Sequence, residues 1–433
     1  MRKVASGLMV LILILLFGAT FYCSIQTEKI FKAQLEQLNQ DYQGVFQLEL
    51  SDYQRSLLLS DAQVVLQVQN EEPLPLVFQL RHFPWGVTIN TSLAADSVVA
   101  QRLAEVMPLE ELQLVTDIDL TGLSQTRFSL PDIAFSDDTG SLSIKGLAFF
   151  CNLNQQMTSG DVSFELDSLQ ITDEQQTALL LSGINLSSQF IEQQGLPLGD
   201  GEFVLEQLSV NNAGQSEPEF ELKGLHYQAA TELDGEKLSS DLTMTLAELS
   251  LLNEKFTVAE LKLAIAGIDV VAVRNIQESA KQLQADMLGQ EVDPVVLQLQ
   301  LFGLYSQLFR EGISLTLERL AVQTDEGAVQ GHGVVKLQDV SGSGASPGSF
   351  EQLQADFQLD LDRGAFAAIF RVIDALQRNG KAAPNRAVLT EQAGQLAGAF
   401  VQKGILIPRE GGYRSELSID NGNAELNGRP FSF

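Results

Sequence analysis

The sequence predicts an α+β fold: a large curled antiparallel β-meander built from a two-strand repeat, with C-terminal helices packed on it and one N-terminal transmembrane helix. Three observations carry that expectation. The chain opens on a long uncharged apolar run, its middle repeats one syncopated apolar rhythm, and helical spacing gathers after residue 270.

Arg2 and Lys3 precede Val4 to Tyr22, nineteen residues without a charge. At about 1.5 Å rise per residue, such a helix nearly covers the hydrocarbon core of a bilayer. Signal cleavage needs small residues near the end of the run, where Thr20-Phe21-Tyr22-Cys23 offers bulky aromatics instead. The run therefore reads as an uncleaved signal-anchor, with the basic pair cytoplasmic and the rest exported. Next, Thr27 can cap a helix that carries Phe31, Leu35, Leu38 and Tyr42 on one face. This juxtamembrane helix is a stalk whose apolar face is a candidate homodimer seam. The expected organisation is anchor 1–26, juxtamembrane helix 27–44, β-rich repeat region 45–270 and a mixed region 271–433 that completes the same body.

The repeat is plain in FELKGLHY, Phe220 to Tyr227, with apolar residues at its first, third, sixth and eighth positions. The same pattern starts at Phe128, Leu142, Phe164, Leu179, Phe203, Met244, Phe256 and Leu315. Through Phe256 the steps alternate short and long, so two strands form one unit of 36 to 41 residues. Side chains alternate faces along a strand, so the skip would throw the last two apolar residues to the wrong side. One extra residue, a β-bulge, restores them, and Gly146, Gly183 and Gly224 stand at the skip where an unusual dihedral is needed. The inference is a bent sheet with one continuous apolar face, on which Phe164, Leu166, Leu205, Phe220, Leu222 and Phe256 are candidate groove-lining residues. A straight strand that switches between two cores is the competing reading.

Beyond the repeat, a helix is expected over about 271 to 289, and Asp293-Pro294 opens another with Leu297, Leu301, Leu304 and Leu308. SGSGASPGS, 341 to 349, reads as a loop. Phe366, Ile369, Phe370, Ile373 and Leu376 mark a helix stopped by Gly380. Leu389, Ala393, Leu396 and Phe400 mark another, stopped by Gly404. The chain closes on a hairpin that turns at Asn421-Gly422. The helices after residue 270 have enough width to cover the apolar face.

Charge narrows the function. With 27 basic and 56 acidic residues the net is −29, which repels phosphate backbones and excludes nucleic acid as a partner. Cys23 and Cys151 cannot build a disulfide framework, and His82, His226 and His332 lack metal-ligand spacing. Gly344-Ala345-Ser346-Pro347-Gly348 matches a nucleophile elbow but sits in a Ser/Gly loop instead of a strand–helix turn. Asp117 to Phe128 starts like a calcium loop and lacks its closing Glu, and Gly331-His332-Gly333 lacks the rest of a dinucleotide site. No cofactor is expected, and no enzyme activity.

Three stretches resemble a known family. They are Tyr53-Gln54-Arg55-Ser56-Leu57-Leu58-Leu59-Ser60-Asp61-Ala62, then Arg81-His82-Phe83-Pro84-Trp85-Gly86, then the pair 315–333 and 411–430. Behind one N-terminal anchor, this order resembles the YdgA-like family of bacterial envelope proteins of unknown function, over essentially the whole chain. Tyr53, Arg55, His82 and Pro84 match its motifs; Ser56 and Phe83 stand where the family usually has glycine. The resemblance implies a Gram-negative inner-membrane anchor with a periplasmic body, and it assigns no catalytic residue. Arg55 reads on its own as a flanking charge, and His82 and Trp85 as turn residues at the sheet edge. The expected function is a non-enzymatic envelope protein acting as a scaffold or binding an apolar ligand such as lipid, with an envelope protein as the other partner class. The alternative is a periplasmic hydrolase using scattered carboxylates.

Overall fold

The computed structural model describes residues 2–41, 45–68, 72–104, 107, 112–175, 177–213, 218–251, 254–287, 312–337, 353–378, 385–420 and 422–431. Among these, 22 strands join one antiparallel sheet. It begins with β1 (Phe46–Gln54), β2 (Leu59–Val68), β3 (Leu74–Phe83), β4 (Gly86–Leu93) and β5 (Gln113–Asp119). Next come β6 (Ser124–Ser129), β7 (Ile133–Asp137), β8 (Gly140–Lys145) and β9 (Ala148–Leu153). The long strands follow: β10 (Ser159–Asp173), β11 (Ala178–Gln193), β12 (Leu196–Asn211), β13 (Phe220–Asp234), β14 (Lys237–Leu251) and β15 (Glu254–Asp269). The sheet ends with β16 (Ile313–Thr324), β17 (Gly327–Leu337), β18 (Leu353–Asp362), β19 (Ile407–Arg409), β20 (Gly412–Asp420), β21 (Asn423–Leu426) and β22 (Arg429–Phe431).

Most strands lie beside their sequence neighbours in a meander, and at its end β18 and β19 both pair with β20. β6 and β7 are two halves of one line, as are β8 and β9, and both halves of the latter pair with β10. β15 pairs with β16 although a helix intervenes in sequence, so one sheet crosses the expected boundary at 270.

Among the long strands β10–β14 the syncopation has a different cause from the one-strand bulge that the rhythm suggests, while a register slip does occur at the skips of β15 and β16. A bulge sets two residues against one and slips the register. Here β10 and β11 pair as Leu166 with Ile184 and Ser168 with Ser182, with Asp167 left opposite Gly183 and no slip. β12 and β13 repeat this with Glu206 opposite Gly224, and β13 and β14 with Gly224 opposite Ala247. From β10 to β15 each strand carries the extra residue at the same level, so the register survives there and a crease crosses these strands. The β15–β16 pairing instead slips at Val258, and β16–β17 slips between Leu317 and Leu320, as a bulge does. Gly146, Gly183 and Gly224 hold φ of 63°, 64° and 61°, and Val258 continues the line at 51°. One left-handed residue shifts the alternation of side chains by one place, which returns the sixth and eighth apolar residues to the side of the first and third. Polar partners gather on the other side: Lys223 pairs with Glu221 and Glu248, and Lys255 with Glu248.

Helices pack on the first and last strands of this sheet and, in its middle, at the turn ends of β12 and β14. α1 (Arg2–Asp41) is one continuous helix, and α2 (Val98–Ala104) is a short connector. No helix of the described residues is long and apolar enough to cross a membrane, and the side chains of 4–18, most of the expected span, lie outside the described residues. The C-terminal half of α1 is no free stalk. Phe31 joins Ala62, Leu80 and Val87 in a core against β1–β4, and Leu35 is buried. Asn39 takes the amide of Leu48 at 2.6 Å and donates to its carbonyl at 2.7 Å, satisfying the edge strand. Of the face expected to pair two stalks, Phe31 and Leu35 are packed within the chain, Leu38 is exposed, and Tyr42 lies outside the described residues.

α3 (Val270–Met287) begins where β15 ends, close to the expected bounds, and Val270 packs on Leu196, Leu198 and Leu238. The helix expected after Asp293-Pro294, the loop 341–349 and the Gly344–Gly348 motif lie outside the described residues. α4 (Arg363–Arg378) and α5 (Arg386–Gln402) match the two later helices and pack Ala365, Phe366 and Phe400 on Val329 and Leu361. The Asn385 side chain accepts from Ala387 N at the start of α5, and Gly404 with φ 75° stops it. Arg371 of α4 fastens this layer down with a bidentate pair to Glu254 at 2.6 and 2.7 Å and a third contact to Glu326 at 3.1 Å.

Candidate functional site

The motif residues converge beneath α1. His82 is the second-last residue of β3 and is 2 % exposed, so it is a core residue and not the edge-turn residue that its Phe-Pro-Trp-Gly context suggests. Its Nε2 lies 2.9 Å from Ser60 Oγ, itself fully buried on β2. Ser60 Oγ also accepts from Ser56 N at 3.1 Å, and Ser24 of α1 donates to Ser56 O at 2.9 Å. Tyr53 flanks the cluster, with Phe31 against its ring at 6.1 Å. Arg55 is exposed and reaches Glu28 of α1 at 3.3 Å. Pro84 and Trp85 do form the turn, and Trp85 stacks on Phe83 at 5.6 Å.

Burial pushes the His82 imidazole below the ordinary histidine value, so the ring is neutral at pH 7. Burial likewise pushes the Tyr53 phenol up, against the pull of the nearby Ser60 hydroxyl. Tyr53 Oη and His82 Nδ1 are buried without a hydrogen-bond partner among the described residues. A serine 2.9 Å from a histidine has the spacing of a nucleophile and its base. This pair lacks the rest of that machinery: no described carboxylate orients Nδ1, and Ser60 is closed to solvent. The cluster fastens α1 to the sheet. Ser24 and Glu28 carry no mark of this role in the sequence, because their partners lie 32 and 27 residues away. Ser60 lies inside the first motif stretch, which is the one signal that points to it.

The second arrangement is the apolar face. Phe149, Phe164, Leu186, Phe203, Tyr227 and Met244 sit side by side in register across six strands. The next level runs Leu166, Ile184, Leu205, Leu225 and Leu246. Beyond the crease come Leu169, Leu181, Leu208, Leu222, Leu249 and Phe256, then Ile171, Leu179, Val210, Phe220 and Leu251. All six candidate groove residues therefore fall on these four levels. Leu166 and Leu205 are buried at 6 %; Phe164, Phe220, Leu222 and Phe256 stay partly exposed. At about 4.8 Å per strand the levels extend roughly 30 Å across the sheet, far beyond an ordinary exposed patch. Toward the turns at the β11–β12 end the residues shrink to Gly160, Gly199, Gly201 and Ala229, and two adjoining grooves of about 650 and 570 Å³ occupy that level.

Cys23 and Cys151 are free thiols, and burial with the Asp161 charge pushes the Cys151 thiol up, away from reactivity. Among the described residues no cluster of His, Cys, Asp and Glu could hold a metal ion. A family model described as a bacterial protein of unknown function, DUF945, matches residues 1–433. No curated protein and no solved structure matches the chain.

Proposed function

The chain belongs to the bacterial DUF945 family of unknown function, and from that premise we propose that it is a non-enzymatic, membrane-anchored envelope protein that binds the acyl part of a lipid on its creased sheet. The anchor is the run Val4–Tyr22, the membrane is the inner one, and the body is periplasmic. The YdgA-like affiliation is the finer form of the same reading. One observation carries the lipid: four consecutive levels of large apolar residues run in register across the long strands, and the described helices are packed elsewhere, on β1–β4, on the turn ends of β12 and β14 and on β17–β18. Such a face has no use in water, and hydrocarbon is the chemistry it matches. The hydrolase alternative has less behind it. Glu326 and Asp360 are held by arginines, and the buried Ser60 admits no substrate.

Native mass spectrometry of the full chain, released gently from membranes, tests the reading. A population carrying one or more lipid masses is expected. A chain that emerges bare, or with a protein partner and no lipid, overturns the lipid reading in favour of a scaffold.

A further inference from the structure

The strands of the first half turn alternately at two ends of the sheet, and one end is unusually greasy. Leu58 in the β1–β2 loop is 61 % exposed, Trp85 in the β3–β4 turn 64 %, and Leu120 in the β5–β6 turn 67 %. Met157 in the β9–β10 turn adds another exposed side chain at the same end. Exposed apolar residues scattered singly need no explanation; four in successive turns of one rim form a surface.

α1 enters at this same rim. Ser24 bonds the β1–β2 loop at Ser56, whereas Asn39 reaches Leu48 nearer the opposite end of β1. Running backwards, α1 therefore leaves the sheet past this rim, with Phe21 and Tyr22 exposed. A cavity of about 480 Å³ brings the parts together, lined by Tyr22, Ile30, Gly86, Leu120 and Gln155 among others. Gln155 lies so close to Gly122 that an added Cβ there would meet its Cγ at 2.6 Å, and both residues line this cavity, which sets the β5–β6 and β9–β10 turns side by side.

We infer that this rim, Leu58, Trp85, Leu120 and Met157, is a membrane-contact surface that rests in the headgroup region of the bilayer crossed by residues 4–22. The inference rests on the anchor reading of that run. Tryptophan and aliphatic tips beside a helix exit fit the interfacial layer, where an aromatic ring finds both an apolar and a wet neighbour. The partner is a lipid surface with neutral headgroups. The chain's net charge of −29 disfavours anionic ones, and Arg55 beside the rim is engaged by Glu28. The consequence is orientation: the strands of the first half stand on the membrane by their turns.

Trp85 is the one tryptophan of the chain, so its fluorescence reports the rim alone. The full chain is reconstituted into phosphatidylcholine vesicles and into vesicles of the same lipid brominated on the upper acyl carbons. Flotation reads the anchor separately. The expected result is a chain that floats, with Trp85 emission blue-shifted and quenched at least twofold by the brominated lipid. In a Leu58→Asn, Leu120→Asn variant that still floats, at least half of that quenching is lost. A floating chain whose Trp85 is unquenched and open to iodide overturns the rim contact and leaves the anchor standing; full quenching that survives in the variant overturns the rim as the contact. A chain that does not float overturns both.

Discussion

His82 Nε2 and Ser60 Oγ share a 2.9 Å hydrogen bond in a pocket closed to solvent, one strand apart and directly under α1. The pair joins two motifs that are 22 residues apart in sequence and links them through Ser56 to Ser24 of the helix. It is where the helix that leaves toward the apolar run is fixed to the sheet.

That pairing makes folding sensitive to mild acid. The folded His82 value lies below the ordinary one, because burial disfavours the cation. The unfolded chain then binds the proton more readily, so this contribution is complete above about pH 6.5 and is lost progressively as pH falls below that toward the lower folded value. Urea midpoints measured between pH 7.5 and 5.5 are expected to drop in the wild-type chain and to drop less in His82→Gln. Equal slopes for the two proteins would show that His82 is not the titrating group.

Arg371 is 4 % exposed and Glu254 8 %. Replacing Arg371 with Met leaves a carboxylate buried, its remaining arginine contact being Arg386 at 3.4 Å. Breaking a buried pair from one side costs roughly 3–5 kcal/mol. The lower part of that range is expected for Arg371→Met by urea unfolding. Arg386→Met, on a residue 56 % exposed at its side chain, is expected to cost under about 1 kcal/mol.

The crease makes opposite demands on two of its members. Gly224 holds φ 61°, and a Cβ added there would meet the Ala247 Cβ at 2.8 Å. Gly224→Ala is expected to destabilise by at least the 1–2 kcal/mol of the left-handed conformation. Val258 holds φ 51° with its side chain 62 % exposed, an outlying conformation for a β-branched residue. Val258→Gly is therefore expected to stabilise by about 0.5–1 kcal/mol, since relief of strain exceeds glycine's entropy cost. Thermal unfolding of both variants checks the sign, and a stabilising Gly224→Ala would refute the shared crease.

The long strands were legible because identical demands recur: FELKGLHY, LSIKGLAF and LLLSGINL each show a face and a skip. The nature of the skip was hidden. A one-strand bulge and a crease shared by neighbours leave the same mark on any single strand, and the unbroken register on both sides of Asp167 and Gly183, of Glu206 and Gly224 and of Gly224 and Ala247 separates them. The burial of His82 is hidden in the sequence for a local reason. Alternation ends one residue before the Phe83-Pro84-Trp85 turn, so nothing in sequence distinguishes the last buried position of β3 from the first turn residue. For α1, the spacing of Phe31 and Leu35 shows an apolar face but cannot say what covers it. Its cover is β1–β4, built from residues whose partners are set by long-range pairing.

Lipid on the sheet depends on side, and paired substitutions separate the two faces. Leu222 lies in register between Leu208 and Leu249 on the apolar levels and is partly exposed, so a charge there reaches solvent without emptying a packed core. Gln228 is exposed on the polar side, beside Glu202 at 3.3 Å. A carboxylate placed against an acyl chain must be desolvated or protonated, at a cost of several kcal/mol, which amounts to at least a tenfold loss of affinity. Leu222→Asp is therefore expected to strip co-purifying lipid from the protein at least tenfold, measured as lipid phosphorus per chain after identical extraction. Gln228→Asp, with the same change in charge one face away, is expected to keep it. Equal losses would mean that the lipid follows net charge, and equal retention that it sits elsewhere than on the creased face.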